Sequence, residues 1–234
     1  MTQTIEELTF DATSRTAVID GHRVHYNEAG TGTPLVLLHG GGPGASGWSN
    51  FHQNLALSNN FRVLMVDQPG YGGSTKIPPV DECRSEFAMR LLVGLLDELD
   101  IEAAHIPGNS FGGRTAIQMA LHHPGRVLDL ILMGPAGGSL NIFAPEPTEG
   151  MKHLYGFFAE PGPSIEKMQA LVDTFLYDKS LSTTELVRSR YEAAVDPETR
   201  AFYTKFLSTP DTQRAATVAR LGPDPAPHPA AMGP

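Results

Sequence analysis

A serine framed by glycines, Gly108-Asn109-Ser110-Phe111-Gly112, is the part of this chain whose residue types and spacing could do chemistry. An apolar run at 103–107 precedes it and a helix-forming run at 113–122 follows. The serine would then sit on a sharp strand-to-helix turn, its hydroxyl held above a sheet at a helix N-terminus. The flanking glycines fit that turn, because a Cβ there would meet the neighbouring strand and helix. A serine is a weak nucleophile at neutral pH. It needs a general base, a group that orients the base, and N–H donors for the developing oxyanion. The donors can be assigned: His39-Gly40-Gly41-Gly42 follows an earlier apolar run. Such a loop would contribute the Gly41 N–H, and Phe111, the residue after the serine, would contribute the second. Each donor of this kind is typically worth ~2.7–4 kcal/mol of barrier.

The same loop admits a rival reading. Gly40, Gly42 and Ala45 fit a G-x-G-x-x-A pattern after a strand, and Asp67 ends the next strand, as in a dinucleotide-binding fingerprint. Against it, Pro43 has no N–H to offer a phosphate, the fingerprint usually opens its fold, and the serine turn is left unexplained.

The elements that must position these residues follow from periodicity. Residues 16–20 and 23–28 are expected as two strands joined at Asp20-Gly21, a hairpin signal. Unbroken apolar runs at 34–38, 62–66, 103–107 and 127–133 suggest parallel strands covered on both faces. Helices are expected over 48–57 and 85–99; in the second, Phe87, Leu91, Leu92, Leu95, Leu96 and Leu99 share one face. Alternating strands and helices point to an α/β doubly wound architecture. From about 147 to 210 there are helical runs and no strand. Ile165, Met168, Leu171, Val172, Phe175 and Leu176 lie at helical spacing, as do Leu186, Arg190, Tyr191 and Ala194. This segment is expected to cap the sheet edge. Its stripe is first of all helix core, and Phe175 would line a pocket if its helix roofs the serine.

Bulk properties set the class. The 234 residues contain 41% hydrophobic and 18% charged residues, which fits a globular chain rather than a disordered one. A formal charge of −9 argues against a nucleic-acid partner. No apolar stretch approaches the ~20 residues of a membrane helix, and the acidic N-terminus has no apolar signal region. The one cysteine, Cys83, has no partner for an internal disulfide. The expectation is a cytoplasmic protein with no membrane partner.

Four stretches, HGGGPGASGWSN at 39–50, HIPGNSFGG at 105–113, ILMGPAGGSLNIFAPEPTEG at 131–150 and FLYDKSLSTTELVRSRYE at 175–192, together resemble the meta-cleavage product hydrolases of the α/β-hydrolase superfamily. Those enzymes hydrolyse a carbon–carbon bond in dienoates left by extradiol cleavage of aromatic or steroid-derived rings. The resemblance runs from about Phe10 to Leu221. It implies an α/β-hydrolase fold with a mostly parallel sheet, about six of the usual eight strands, and an inserted helical cap. The division implied is a core over 1–135, a cap over 136–210, and a return to the core with a Pro-rich tail over 211–234. It makes Ser110 the nucleophile or the residue that activates water, and Gly41 and Phe111 the oxyanion donors. Asn50 and Asn109 would hold the dienoate and Arg190 its carboxylate, where a planar guanidinium suits a bidentate contact. The partner implied is a small dienoate. No metal or organic cofactor is implied, and homo-oligomers are common in the family. The stretches DQPGYG and NIFAPEPTEG are most similar to the branch acting on a cleaved steroid ring.

The family order continues with an acid and then a histidine on strands after the cap. No triad Asp or His is found in this sequence. Five prolines fall in residues 223–234, which excludes a central strand there. His228 lies between two of them, and Asp211 and Asp224 have no strand to present them. His39 would support its loop, His122 and His123 end a helix, and His105 stands five residues up the strand from Ser110. The expectation is a truncated or frameshifted copy with an unprotected apolar edge at Leu128, Leu130, Ile131 and Leu132. Two alternatives accompany it: a non-catalytic remnant that binds a small carboxylate or a partner, and a general esterase of the same fold.

Overall fold

The computed structural model describes residues 8–77, 83–135 and 148–208. Sequence readings that fall on 136–147 and 209–234, including Asp211, Asp224 and His228, lie outside the described residues. Short helix α1 (Phe10–Thr13) leads into strands β1 (Ser14–Ile19) and β2 (His22–Ala29). Asp20 and Gly21 join them with φ of 50° and 78°, the left-handed pair of a type I′ hairpin. Then follow β3 (Thr33–Leu38), α2 (Gly47–Phe51), β4 (Phe61–Val66), α3 (Arg84–Glu98), β5 (Ala104–Asn109), α4 (Phe111–His122) and β6 (Val127–Met133). The sheet order is β1-β2-β4-β3-β5-β6. β1 and β2 pair antiparallel, as do β2 and β4, and the other pairs are parallel. The alternating α/β architecture is what periodicity led us to expect, and its strand arrangement is the one that the resemblance implied.

The unbroken apolar strands are explained by two cores. Val36, Leu38, Leu64 and Ile106 pack under α3 and α4, against Phe87, Leu91, Leu95, Ala116 and Met119. Leu35, Leu37, Val63 and Met65 face the other way, onto Phe51, Leu55 and Leu8. With both faces covered, the usual polar alternation has no place.

Two expectations are corrected. The helix read over 48–57 is an α-helix only to Phe51; a 3₁₀ helix, His52–Asn59, continues it. Asn50 Nδ2 donates to the Ser46 carbonyl at 3.0 Å and His52 Nδ1 to the Trp48 carbonyl at 3.0 Å. Side chains that bond back in this way compete with the helix ladder. Leu130 packs against the α3–α4 core, whereas Leu128, Ile131 and Leu132 are 49%, 55% and 40% exposed on β6, the last strand in the order.

Residues 148–208 form helices α5 (Glu149–Gly156), α6 (Ile165–Phe175), α7 (Thr184–Val195) and α8 (Pro197–Ser208). Thr148, Ser164 and Thr183 cap the first three by accepting backbone N–H bonds. Phe157, Met168, Leu171, Val172, Val187 and Ala194 give these helices a core of their own. α8 joins them to the sheet through Phe202 and Tyr203, which pack with Ala45 and Tyr71. Among the described residues no helix is long and apolar enough to cross a membrane.

Candidate active site

Ser110 stands between β5 and α4 with φ 49° and ψ −110°. A non-glycine residue there costs on the order of 1–3 kcal/mol, and such strain collects at functional turns. Two glycines make the turn possible. A Cβ on Gly112 would lie 2.1 Å from the Leu38 carbonyl oxygen, and one on Gly108 would lie 2.5 Å from the Gly112 carbonyl oxygen. The Ser110 N–H donates to the Met133 carbonyl at 2.9 Å, which ties the turn to the end of β6.

The glycine loop after β3 closes on this turn. A Cβ at Gly40 would be 3.1 Å from Asn109 Nδ2 and 3.4 Å from Ser110 Cβ. A Cβ at Gly41 would be 2.8 Å from the Tyr71 hydroxyl oxygen and 3.4 Å from Phe111 Cβ. Gly41 and Phe111 are therefore neighbours, and Phe111, first residue of α4, has an N–H with no intrahelical acceptor. Arg84 braces this corner from behind: its guanidinium lies 4.6 Å from the Phe111 ring centre and donates to the Tyr71 hydroxyl at 3.1 Å.

His39 holds the loop. Nδ1 donates to the Gly40 carbonyl at 2.8 Å and Nε2 accepts from the Gln68 N–H at 3.0 Å. The Gln68 amide in turn donates to the His39 carbonyl at 2.6 Å. Burial lowers the His39 pKa and keeps the ring neutral.

Asp67, at the end of β4, accepts from His25 Nδ1 at 2.7 Å, Gly47 N–H at 2.6 Å and Gly73 N–H at 2.8 Å. Burial pushes its pKa up, but the bond from His25, the charge on His25 and the Gly73 N–H outweigh that and leave it lowered. These bonds commit the carboxylate that a dinucleotide fold would reserve for a ribose, so the rival reading loses its acid. They also fix a pH response. Above its ordinary value of 3.8, Asp67 is ionised folded or unfolded, and its bonds stabilise fully. As pH falls through 3.8, the unfolded chain takes the proton first and that stability is lost. His39 acts in the same direction earlier, because below 6.5 only the unfolded chain protonates readily. The urea midpoint is expected to fall as pH drops below about 6.5 and more steeply below about 4. Asp67→Asn should flatten the second part; an unchanged slope would refute the assignment.

Above the turn lies a cavity of about 380 Å³, with Gly40, Gly41, Asn50, Asn109, Ser110, Phe175 and Arg190 in its wall. Six of the seven site residues read from the sequence border it, and the seventh, Phe111, packs beside Gly41. Phe175 is 59% exposed and lines the rim as well as covering Gly150. Asn50 bonds through Nδ2 to Ser46 and Ser49. The Asn109 amide has no hydrogen bond within the described residues.

Arg190, on α7, donates from Nη2 to the Pro43 carbonyl at 3.1 Å, while its buried Nε has no partner. Burial lowers its pKa, and no described carboxylate pairs with it. Ser49, Leu154, Leu171, Val172, Leu176 and Leu186 complete the wall. The sequence placed Leu171 and Val172 in helix core; they are cap core and cavity wall at once.

No histidine side chain bonds Ser110 among the described residues. His25, with Ser14 on Nε2 at 2.8 Å, is three strand spacings from β5, roughly 14 Å. His105 pairs with Asp129 at 2.8 Å.

A family profile described as "alpha/beta hydrolase fold" matches residues 33–228. The 2-hydroxy-6-oxo-6-phenylhexa-2,4-dienoate hydrolase of Comamonas testosteroni is 45% identical over 172 residues, covering 73% of this chain and 59% of that protein. A 2-hydroxy-6-oxononadienedioate/2-hydroxy-6-oxononatrienedioate hydrolase of Cupriavidus pinatubonensis is 43% identical over 199 residues, covering 82% and 68%. The chain thus spans about three fifths to two thirds of the length of these relatives. Among solved structures, the meta-cleavage product hydrolase CumD of Pseudomonas fluorescens IP01 superposes with a TM-score of 0.74 at 36% identity. It covers 86% of this chain and 71% of its own.

Proposed function

The chain belongs to the meta-cleavage product hydrolases of the α/β-hydrolase fold, and on that footing we propose that its cavity takes a 2-hydroxy-6-oxo-hexa-2,4-dienoate and directs hydrolysis of its carbon–carbon bond. The observation that carries this reading is the buried Nε of Arg190, left without a partner on a residue that borders the cavity holding Ser110. A cation left with an unsatisfied donor is costly unless a ligand completes it, and a carboxylate does so with charge assistance.

In this reading Arg190 holds the substrate carboxylate, and Asn50 and Asn109 hold the dienoate. The dienol is first ketonised, which makes the scissile bond labile. The 6-keto oxygen then lies between the Gly41 and Phe111 N–H groups, which stabilise the negative charge that develops there. Ser110 attacks the carbonyl or activates water for the attack. One water is consumed, and a 2-hydroxypenta-2,4-dienoate and a carboxylic acid are released. The core is 1–135 and the cap 136–210, with Ser110 on one and Arg190 on the other.

Two refinements follow from the wall. Its only charge among the described residues is Arg190, and the remaining wall from the cap is Leu154, Leu171, Val172, Phe175, Leu176 and Leu186. An apolar 6-substituent, an aryl group or a steroid-derived ring, suits that wall better than a second carboxylate, which would be buried without a cation. With no imidazole bonded to Ser110 among the described residues, a second reading, binding that outlasts turnover, accompanies the first for a polypeptide of these 234 residues.

Calorimetric titration with 6-oxo-6-phenylhexanoate, which has no cleavable dienol, tests the reading. Arg190→Gln is expected to weaken binding by about 10- to 100-fold, the worth of one charged hydrogen bond. A ligand ending in a second carboxylate should bind the wild type more weakly than the phenyl ketone. Equal affinity of wild type and variant would remove Arg190 from the site.

A further inference from the structure

One turn grips Arg190 at both ends. The Ala45 N–H donates to the Gly42 carbonyl at 3.1 Å across Pro43 and Gly44, and Gly44 has a φ of +69°. Proline second and a left-handed residue third make a type II turn. In that type the central peptide is flipped relative to type I, so the Pro43 carbonyl points away from where a type I turn would send it. Arg190 takes that carbonyl with Nη2 at 3.1 Å. On the same side, Gly44 lies so near α7 that a Cβ would stand 2.0 Å from the Arg190 carbonyl oxygen and 2.8 Å from its carbon. A single dipeptide thus fixes the backbone of Arg190 and one of its terminal nitrogens. Of the two nitrogens that remain, Nε is buried and without a partner.

We propose that the Pro43-Gly44 peptide is the positioning element of Arg190: by holding Nη2 it keeps Nε free for a carboxylate, so the anion affinity of the cavity depends on the turn staying type II. This rests on the dienoate reading above and adds to it. It gives Gly44 a task separate from the oxyanion donors on the same loop. An L-residue at the third position favours a negative φ, which turns the central peptide over and removes the carbonyl from Arg190. Alanine would also press its Cβ on the α7 backbone. Both effects release the guanidinium, and the second also presses on α7, which carries Leu186 of the wall.

The test compares 6-oxo-6-phenylhexanoate with its methyl ester, which fills the same wall but carries no charge. Wild type is expected to prefer the acid by about 10-fold or more. Gly44→Ala should cut the acid-to-ester preference about five-fold or more, a ratio in which any shift of Leu186 common to both ligands cancels, and retained ester binding shows that the variant is folded. Pro43→Ala, which weakens the type II turn without adding a Cβ against α7, should lower the preference in the same direction. In an Arg190→Gln background, Gly44→Ala should leave the preference unchanged. A wild-type preference retained by Gly44→Ala, or equal losses for acid and ester, would overturn the proposal. If Arg190→Gln itself kept the wild-type preference, the dienoate reading would fall with it.

Discussion

A polypeptide of these 234 residues is expected to bind 2-hydroxy-6-oxo-6-phenylhexa-2,4-dienoate and to cleave it at least about 10³-fold more slowly than the Comamonas testosteroni relative does. The binding half rests on Arg190 and the apolar wall. The slow half rests on Ser110, whose hydroxyl has no hydrogen-bond partner among the described residues. General acid–base assistance contributes about 10²–10⁴-fold on its own, and loss of an acting triad member costs more. Among the described histidines, His25, His39, His52, His105 and His153 bond to other groups, and His228 stands between Pro227 and Pro229. Loss of the dienoate absorbance in stopped flow, with intact mass checked, measures it. Turnover within tenfold of the relative would mean that a base reaches Ser110 after all.

Gly112→Ala is expected to destabilise the protein by about 3 kcal/mol or more, although local propensity predicts the opposite. In a helix, alanine is favoured over glycine by about 1 kcal/mol. Gly112 is the second residue of α4, yet its Cβ would lie 2.1 Å from the Leu38 carbonyl oxygen and 2.8 Å from that of His39. Both are backbone atoms that cannot rotate away, and His39 is locked by its bonds to Gly40 and Gln68. To admit the methyl, α4 would have to move off β3, taking Ser110 and Phe111 out of place beside Gly41. Gly125→Ala, where nothing lies within 4 Å, serves as the control. Equal urea midpoints for the two variants would contradict the packing argument.

How far the site could be read beforehand depended on what kind of signal each residue carries. Ser110, Gly41 and Phe111 were legible because a strained turn and a close backbone approach demand glycines at fixed spacing. The strands were legible because burial on both faces leaves unbroken apolar runs. Arg190, Asn50 and Asn109 carry no such pattern; an arginine on a helix is ordinarily a solvated charge, and only the family resemblance singled them out. The cavity wall was hidden for another reason. Leu171 and Val172 keep the helical spacing of core residues because they are core residues, and periodicity does not reveal that their far side borders a void. The 3₁₀ continuation after Phe51 was missed because it depends on side chains returning to carbonyls four residues back. The Pro43 carbonyl as a seat for Arg190 joins positions 147 residues apart, beyond any local pattern.

The most direct test of the central claim is a crystal structure of the protein with 6-oxo-6-phenylhexanoate bound. The carboxylate is expected on Arg190 Nε, the ketone oxygen about 2.7–3.1 Å from the Gly41 and Phe111 N–H groups, and the phenyl ring against Leu171 and Leu186. A ligand bound with its carboxylate elsewhere and Arg190 Nε still unpaired would contradict the account.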